Sequence, residues 1–334
     1  MSGQRAGTLG CMKRTGLIAI AFALVLAVSA CGSGRGGDDE AADMGAAGED
    51  LSHLSGTIKA DGSSTVGPLT TLAAERFRSL APNVRLTVGI SGTGGGFERF
   101  CNGETDLSNA SRPVKDEEAA VCEQKGVEFV EFRVATDALT VVVNPENDWI
   151  DCLTVDQLKA IWEPGSKISS WSEVPGGDYP DVPLRLAGPG TDSGTFDYFT
   201  DEIVGEEGAS RSDYQASEDD NVVVEAVSGQ EGGLGYFGFS YYDENRSRLK
   251  ALAIDGGDGC VEPSVDAAQS GAYTPLSRPL FLYANTAAFA DEHVHDFIRF
   301  YLDNAVQLAE DALYVPLTGE ERQQAISDFE AALG

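Results

Sequence analysis

Positive charge is scarce in this chain: 23 lysines and arginines stand against 54 aspartates and glutamates, a formal net charge of −31 over 334 residues. That balance excludes binding to nucleic acid and charge-driven adhesion to anionic membrane surfaces. It does not exclude a small anionic ligand. Charges beyond a Debye length of about 8–10 Å are screened, whereas N–H dipoles and a single arginine act at contact distance. Histidine is scarcer still, with only His53, His293 and His295. One falls in a polar N-terminal stretch and two on a late helix-like segment, so a Ser-His-Asp hydrolase and a two-metal phosphatase are both poorly supplied. Around Ser193 the pattern is not Gly-x-Ser-x-Gly, because Gly190 precedes the serine by three positions. No zinc-type cysteine spacing occurs. Long apolar runs are missing apart from residues 17–28, too short for a comfortable membrane span.

That run reads as a leader. Lys13 and Arg14 precede it and Val28-Ser29-Ala30-Cys31 closes it with small residues, the pattern of a secretory signal peptide over residues 1–30. Its end resembles a bacterial lipobox, and the resemblance implies that Cys31 becomes the lipidated first residue of the mature chain. Residues 31–55 then form a flexible tether. Over 32–52 they hold glycine, alanine, serine, aspartate and glutamate with hardly a bulky apolar side chain, so they cannot bury enough surface to fold. Such a segment reaches roughly 25 Å on average. With 42% apolar residues over its 334 positions, the chain has enough for two ordinary domains. Four cysteines remain, Cys101, Cys122, Cys152 and Cys260. An even count in an exported chain implies disulfides with three possible connectivities. The preferred pairing is Cys101 with Cys122, bracketing one short helix-rich unit, and Cys152 with Cys260.

What the chain has in quantity is glycine, 39 residues, and three of the stretches that hold it are alike. Gly188-Pro189-Gly190-Thr191-Asp192-Ser193-Gly194-Thr195 runs into an apolar-periodic segment. Asp61-Gly62-Ser63-Ser64-Thr65-Val66 follows a strand-like stretch at 56–60 and opens an amphipathic one, and Ser91-Gly92-Thr93-Gly94-Gly95-Gly96 follows the strand-like 84–90. Glycines let backbone approach a ligand, serine and threonine add hydroxyl donors, and the first N–H groups of a helix lack internal partners. Three such units favour an oxyanion. Strands and helices alternate from residue 56 onward, an α/β pattern. Strands are expected at 127–133 and 137–144, helices at 68–80, 116–125, 154–162, 221–228, 291–302 and 319–333, and a return strand at 275–283.

Six segments in order resemble one family, the substrate-binding lipoproteins of bacterial phosphate ABC importers, the PstS type: residues 61–66, 91–96, 109–113, 188–199, 232–236 and 275–281. The resemblance covers residues 56–334. It implies the type II periplasmic-binding fold, two α/β lobes joined by two crossing strands, with lobe I from 56–137 and 277–334 and lobe II from 138–276. It implies capture of one phosphate ion and no cofactor, metal or catalytic residue. Carried over by motif, the ligands are the hydroxyls of Ser64, Thr65 and Thr93, the N–H of Val66, and Ser193, Gly194 and Thr195. Two positions depart from the best-known members. An acidic residue after Ala-Ser is here Arg112, and an arginine before the third loop is here Pro189. Arg112 is therefore the expected cation, moved to the other lobe. Phosphate also needs an acceptor for its proton, with Asp137 the first choice and Asp192 and Asp61 next.

The expected function is extracytoplasmic capture of inorganic phosphate by a lipid-anchored monomer on the outer face of the cell membrane, and delivery to the membrane subunits of an importer. The alternatives are another tetrahedral oxyanion, sulfate or molybdate, and an exported phosphatase.

Overall fold

The structure, a computed structural model, describes residues 50–191 and 193–333. The leader, Cys31, most of the tether and Asp192 lie outside the described residues. The chain opens with β1 (Ser55–Gly62), α1 (Val66–Leu80), β2 (Asn83–Val88), α2 (Gly92–Cys101), β3 (Leu107–Ala110) and α3 (Asp116–Lys125). Then come β4 (Phe129–Val143), β5 (Cys152–Thr154), α4 (Val155–Trp162), β6 (Arg185–Pro189) and α5 (Gly194–Phe199), which runs on as a π-helical turn, Thr200–Val204. They are followed by β7 (Gln215–Ser217), α6 (Asp220–Ser228), β8 (Gly233–Gly238), α7 (Phe239–Glu244), β9 (Lys250–Ala251), β10 (Ala253–Asp255), β11 (Cys260–Val261) and α8 (Val265–Gln269). β12 (Ser277–Asn285), α9 (Glu292–Asp303), α10 (Ala305–Asp311) and α11 (Gly319–Ala332) close the chain.

One mixed sheet runs β2-β1-β3-β12-β4-β8-β6-β7, with β9 beside β4, and a small sheet runs β11-β10-β5. β1 is parallel to β2 and β3, whereas β12 is antiparallel to β3 and β4, and β4 to β8. Two large apolar cores cover this sheet. One gathers Ile58, Leu69, Phe77, Phe132, Leu282, Phe297 and Phe329, the other Leu139, Leu158, Trp162, Trp171, Tyr236 and Tyr273. Along β4 the side chains change allegiance between Ala135 and Leu139, and along the return between Leu276 and Leu280. The α/β class expected from the alternation is what the sheet displays.

The sequence reading differs at two useful places. The two strands expected at 127–133 and 137–144 are one strand, β4. The polar pair Thr136 and Asp137 breaks the apolar run, but the β12 ladder continues through it, with Thr136 opposite Pro279 and Asp137 opposite Arg278. Second, the glycines of the 91–96 loop are helical, forming the first turns of α2. A Cβ on Gly96 would stand 2.5 Å from the Gly62 Cα, so glycine is what lets this helix lie directly on β1. Both disulfides are present in the preferred pairing, Cys101–Cys122 joining α2 to α3 and Cys152–Cys260 joining β5 to β11.

Candidate binding cleft

The C-terminal ends of β1, β2 and β3 and the start of β12 converge on a cavity of about 550 Å³, reached from the other core by α5 and the turn after it. Loops at the carboxyl ends of parallel strands are where open α/β sheets place ligands. Hydroxyls from three loops line it: Ser63, Ser64 and Thr65, then Ser91 and Thr93, then Ser111.

Several of these hydroxyls are tied to nearby backbone, to Asp61 or to one another across the loops. Ser63 Oγ accepts the N–H groups of Thr65 at 3.2 Å and Val66 at 3.4 Å, so it caps the start of α1 from within the loop. The Thr65 carbonyl accepts from the Tyr314 hydroxyl at 2.7 Å. Thr93 Oγ1 accepts from the Ser111 N–H at 3.2 Å and lies 3.1 Å from Ser111 Oγ. Asp61 is fully engaged, accepting from Gly62 N–H, Ser91 N–H, Ser91 Oγ and Arg99 Nη1 at 2.7, 3.1, 2.8 and 2.7 Å. It stitches the first loop to the second and does not face the cavity, so it cannot serve as the acceptor suggested for it.

The cation at the centre is Arg278, on β12. Its Nε and Nη2 reach Asp137 Oδ2 at 3.3 Å each, Nη2 donates to Thr65 Oγ1 at 2.8 Å, and the guanidinium carbon lies 3.6 Å from the centroid of the Tyr198 ring. The residue sits within the segment 275–281, which the sequence offers as a crossing strand and one of the six resemblance segments but not as a source of a ligand. The available signal was a charged residue followed directly by proline at the head of an otherwise largely apolar strand. Asp137 is 4% exposed and stands behind Arg278, off the cavity wall; burial pushes its carboxyl up while the guanidinium pulls it down.

Arg112 also lines the cavity, but its fork is occupied: Nη1 and Nη2 meet the two Glu118 oxygens at 2.8 Å each. Glu118 in turn accepts the Lys115 N–H at 2.9 Å, and the pair holds its carboxyl below the ordinary range although desolvation opposes. The third loop stands alongside. Ser193 Oγ accepts from Thr195 N–H at 3.2 Å, and a Cβ on Gly194 would come within 2.8 Å of Thr65 Oγ1 and 3.3 Å of Ser64 Oγ, so only glycine lets these loops touch. Ser193, Gly194, Thr195 and Val66 flank the cavity rather than line it. The acids that do line it, unforeseen in the sequence, are Asp197, Asp201, Glu202 and Glu207. Burial raises Asp197, reinforced by Glu207 and opposed by Arg278. It raises Glu202 likewise, reinforced by Asp201.

Two cores bridged by shared strands, with hydroxyl and guanidinium donors collected at strand ends between them, define a class of ligand-capturing α/β proteins. A family model described as a PBP superfamily domain matches residues 47–305, and the chain belongs to that family. Phosphate-binding protein PstS of Staphylococcus saprophyticus is 37% identical over 321 residues, 96% of this chain and 94% of that one. Protein SphX of Synechococcus elongatus is 46% identical over 275 residues, 81% of each chain. A crystal structure described as a possible phosphate binding protein from Planctomyces limnophilus is 46% identical with a TM-score of 0.81, covering 84% of this chain and 100% of that one. The PstS-type resemblance carried by the motifs thus has counterparts along nearly the whole chain.

Proposed function

We propose that this protein captures inorganic phosphate outside the cytoplasm and delivers it to an ABC-type importer, performing no chemistry on the ion. The observation that carries this reading is Arg278, presented among serine and threonine hydroxyls between Asp137, Thr65 and Tyr198. Relatives named phosphate-binding proteins, similar over almost all of the chain, support it. Arg278 supplies the charge and directed N–H groups that suit phosphate oxygens, with Arg112 as a second cation. Ser64, Thr65 and Thr93 donate hydroxyls from the cavity wall, and the flanking Val66, Ser193, Gly194 and Thr195 join them only if lobe closure turns their N–H and hydroxyl groups from their present partners to the ion. Asp137 holds the Arg278 guanidinium.

Residues 56–137 with 277–334 act as one lobe and 138–276 as the other, and their closure lowers the dielectric around every donor. The membrane subunits of the importer recognise the closed, ligand-bound monomer, tethered by lipid at Cys31. Titration calorimetry on the full chain tests the reading. Phosphate should bind and sulfate should bind far more weakly, and Arg278→Lys should lose about 100-fold, the scale of a charge-assisted hydrogen bond removed from a buried site. Tighter binding of sulfate or molybdate would transfer the reading to that anion, and turnover of p-nitrophenyl phosphate would overturn it.

A further inference from the structure

We infer that Tyr198 is a positioning residue for ligand capture: its ring fixes the plane of the Arg278 guanidinium, so that the N–H groups left unpaired stay turned toward the cavity. This rests on the reading of Arg278 as a phosphate ligand. The ring centroid lies 3.6 Å from the guanidinium carbon, a stacking distance at which the ring covers one face of the cation. The ring itself is fixed. Tyr198 is 2% exposed, and its hydroxyl donates to the Pro275 carbonyl at 2.6 Å, three residues before Arg278 on the same return segment. Face and edge of the guanidinium are therefore both constrained: Tyr198 takes the face, while Asp137 and Thr65 take Nε and Nη2. Nη1 has no protein partner among the described residues and is the nitrogen left for an anion.

Such restraint is needed because Asp197, Asp201, Glu202 and Glu207 line the same cavity. A guanidinium free to tilt would fall onto one of them and be neutralised before an ion arrived. The stack opposes that collapse without adding a hydrogen bond that phosphate would have to displace. It also reaches across the molecule. Tyr198 lies one turn after Gly194 on α5, so the third loop and the crossing strand are locked into one geometry.

The test measures phosphate affinity by calorimetry for Tyr198→Phe, Tyr198→Leu, Arg278→Gln and the pair Tyr198→Leu with Arg278→Gln. Tyr198→Leu should weaken binding about tenfold, the scale of a cation–π contact shielded from water, while Tyr198→Phe, which keeps the ring, should stay within about threefold. In the Arg278→Gln background the leucine substitution should change nothing further, because a residue acting through another loses its effect when that partner is gone. Phosphate should also perturb the tyrosine ultraviolet absorption of the parent, and that difference signal should vanish in Tyr198→Phe although binding persists. Tyr198→Leu matching the parent, an undiminished leucine effect without Arg278, or an unchanged difference signal in Tyr198→Phe would each overturn the inference. Parent-like affinity in Arg278→Gln would tell against Arg278 itself.

Discussion

Asp197, Asp201, Glu202 and Glu207 stand in a cavity read as binding an anion, and at the residue scale this sign of charge has a use. Phosphate at neutral pH still carries a proton that needs an acceptor, whereas sulfate carries none and would set lone pairs against lone pairs. Mismatches of that kind can discriminate by several powers of ten. Asp197→Asn combined with Glu202→Gln should therefore lower the phosphate-to-sulfate affinity ratio by about tenfold or more. Asp137→Asn, behind the wall, should weaken both anions with little change in the ratio. Burial raises both Asp197 and Glu202, so they take up protons at a pH where an ordinary carboxylate is ionised, and each protonated group then offers an O–H that sulfate can accept. Phosphate preference should thus decline on the mildly acidic side, and competition titrations across pH check the sign. The sequence made the hydroxyl donors legible because glycine, serine and threonine cluster at strand ends. It hid Arg278 and the acids, since their role depends on β12 lying beside β4 and on α5 turning its side toward the crossing, neither of which is a local property.

At the scale of elements, most helices were readable within a few residues because their apolar spacing and caps are local. Thr154 caps α4, accepting the Gln157 N–H at 3.1 Å while Gln157 returns a bond to Thr154 N–H at 2.9 Å, the reciprocal pattern the sequence signals. The short α7, α8 and α10 escaped that reading, and so did the joining of two expected strands into β4, because pairing with β12 overrides the polar interruption at Thr136 and Asp137. α6 carries a testable cost at its start. Asp219 caps it, accepting from Asn221 N–H at 3.0 Å. The next carboxyl, Asp220, is pushed up to about 6 by burial first and then by Asp219 and Glu218. A native carboxyl that holds its proton more tightly than in the unfolded chain makes stability fall as pH rises from about 4 to that higher value, and stay lower above it. The positive end of the helix offsets part of this. Asp220→Asn should therefore gain about 1–2 kcal/mol at pH 8 and nothing near pH 4, as measured by urea unfolding at both pH values.

At the scale of the whole molecule, one strand closes everything. β12 lies between β3 and β4, paired with β4 along its whole length and with β3 from Phe281 to Ala284, yet it comes well over a hundred residues after either. A chain ending at residue 276 should remain open to protease, with the core around Phe132 and Leu282 unfinished, whereas the full chain should resist. Limited proteolysis of the two side by side decides it. Placed in time rather than in space, the arrangement is a delay. The seam between β3 and β4 stays vacant while everything before β12 is synthesised, because its filler is among the last parts to be made. A polypeptide with such a seam cannot finish its first core on the ribosome ahead of its own tail, whereas the second core, complete by Leu276, waits for nothing that follows.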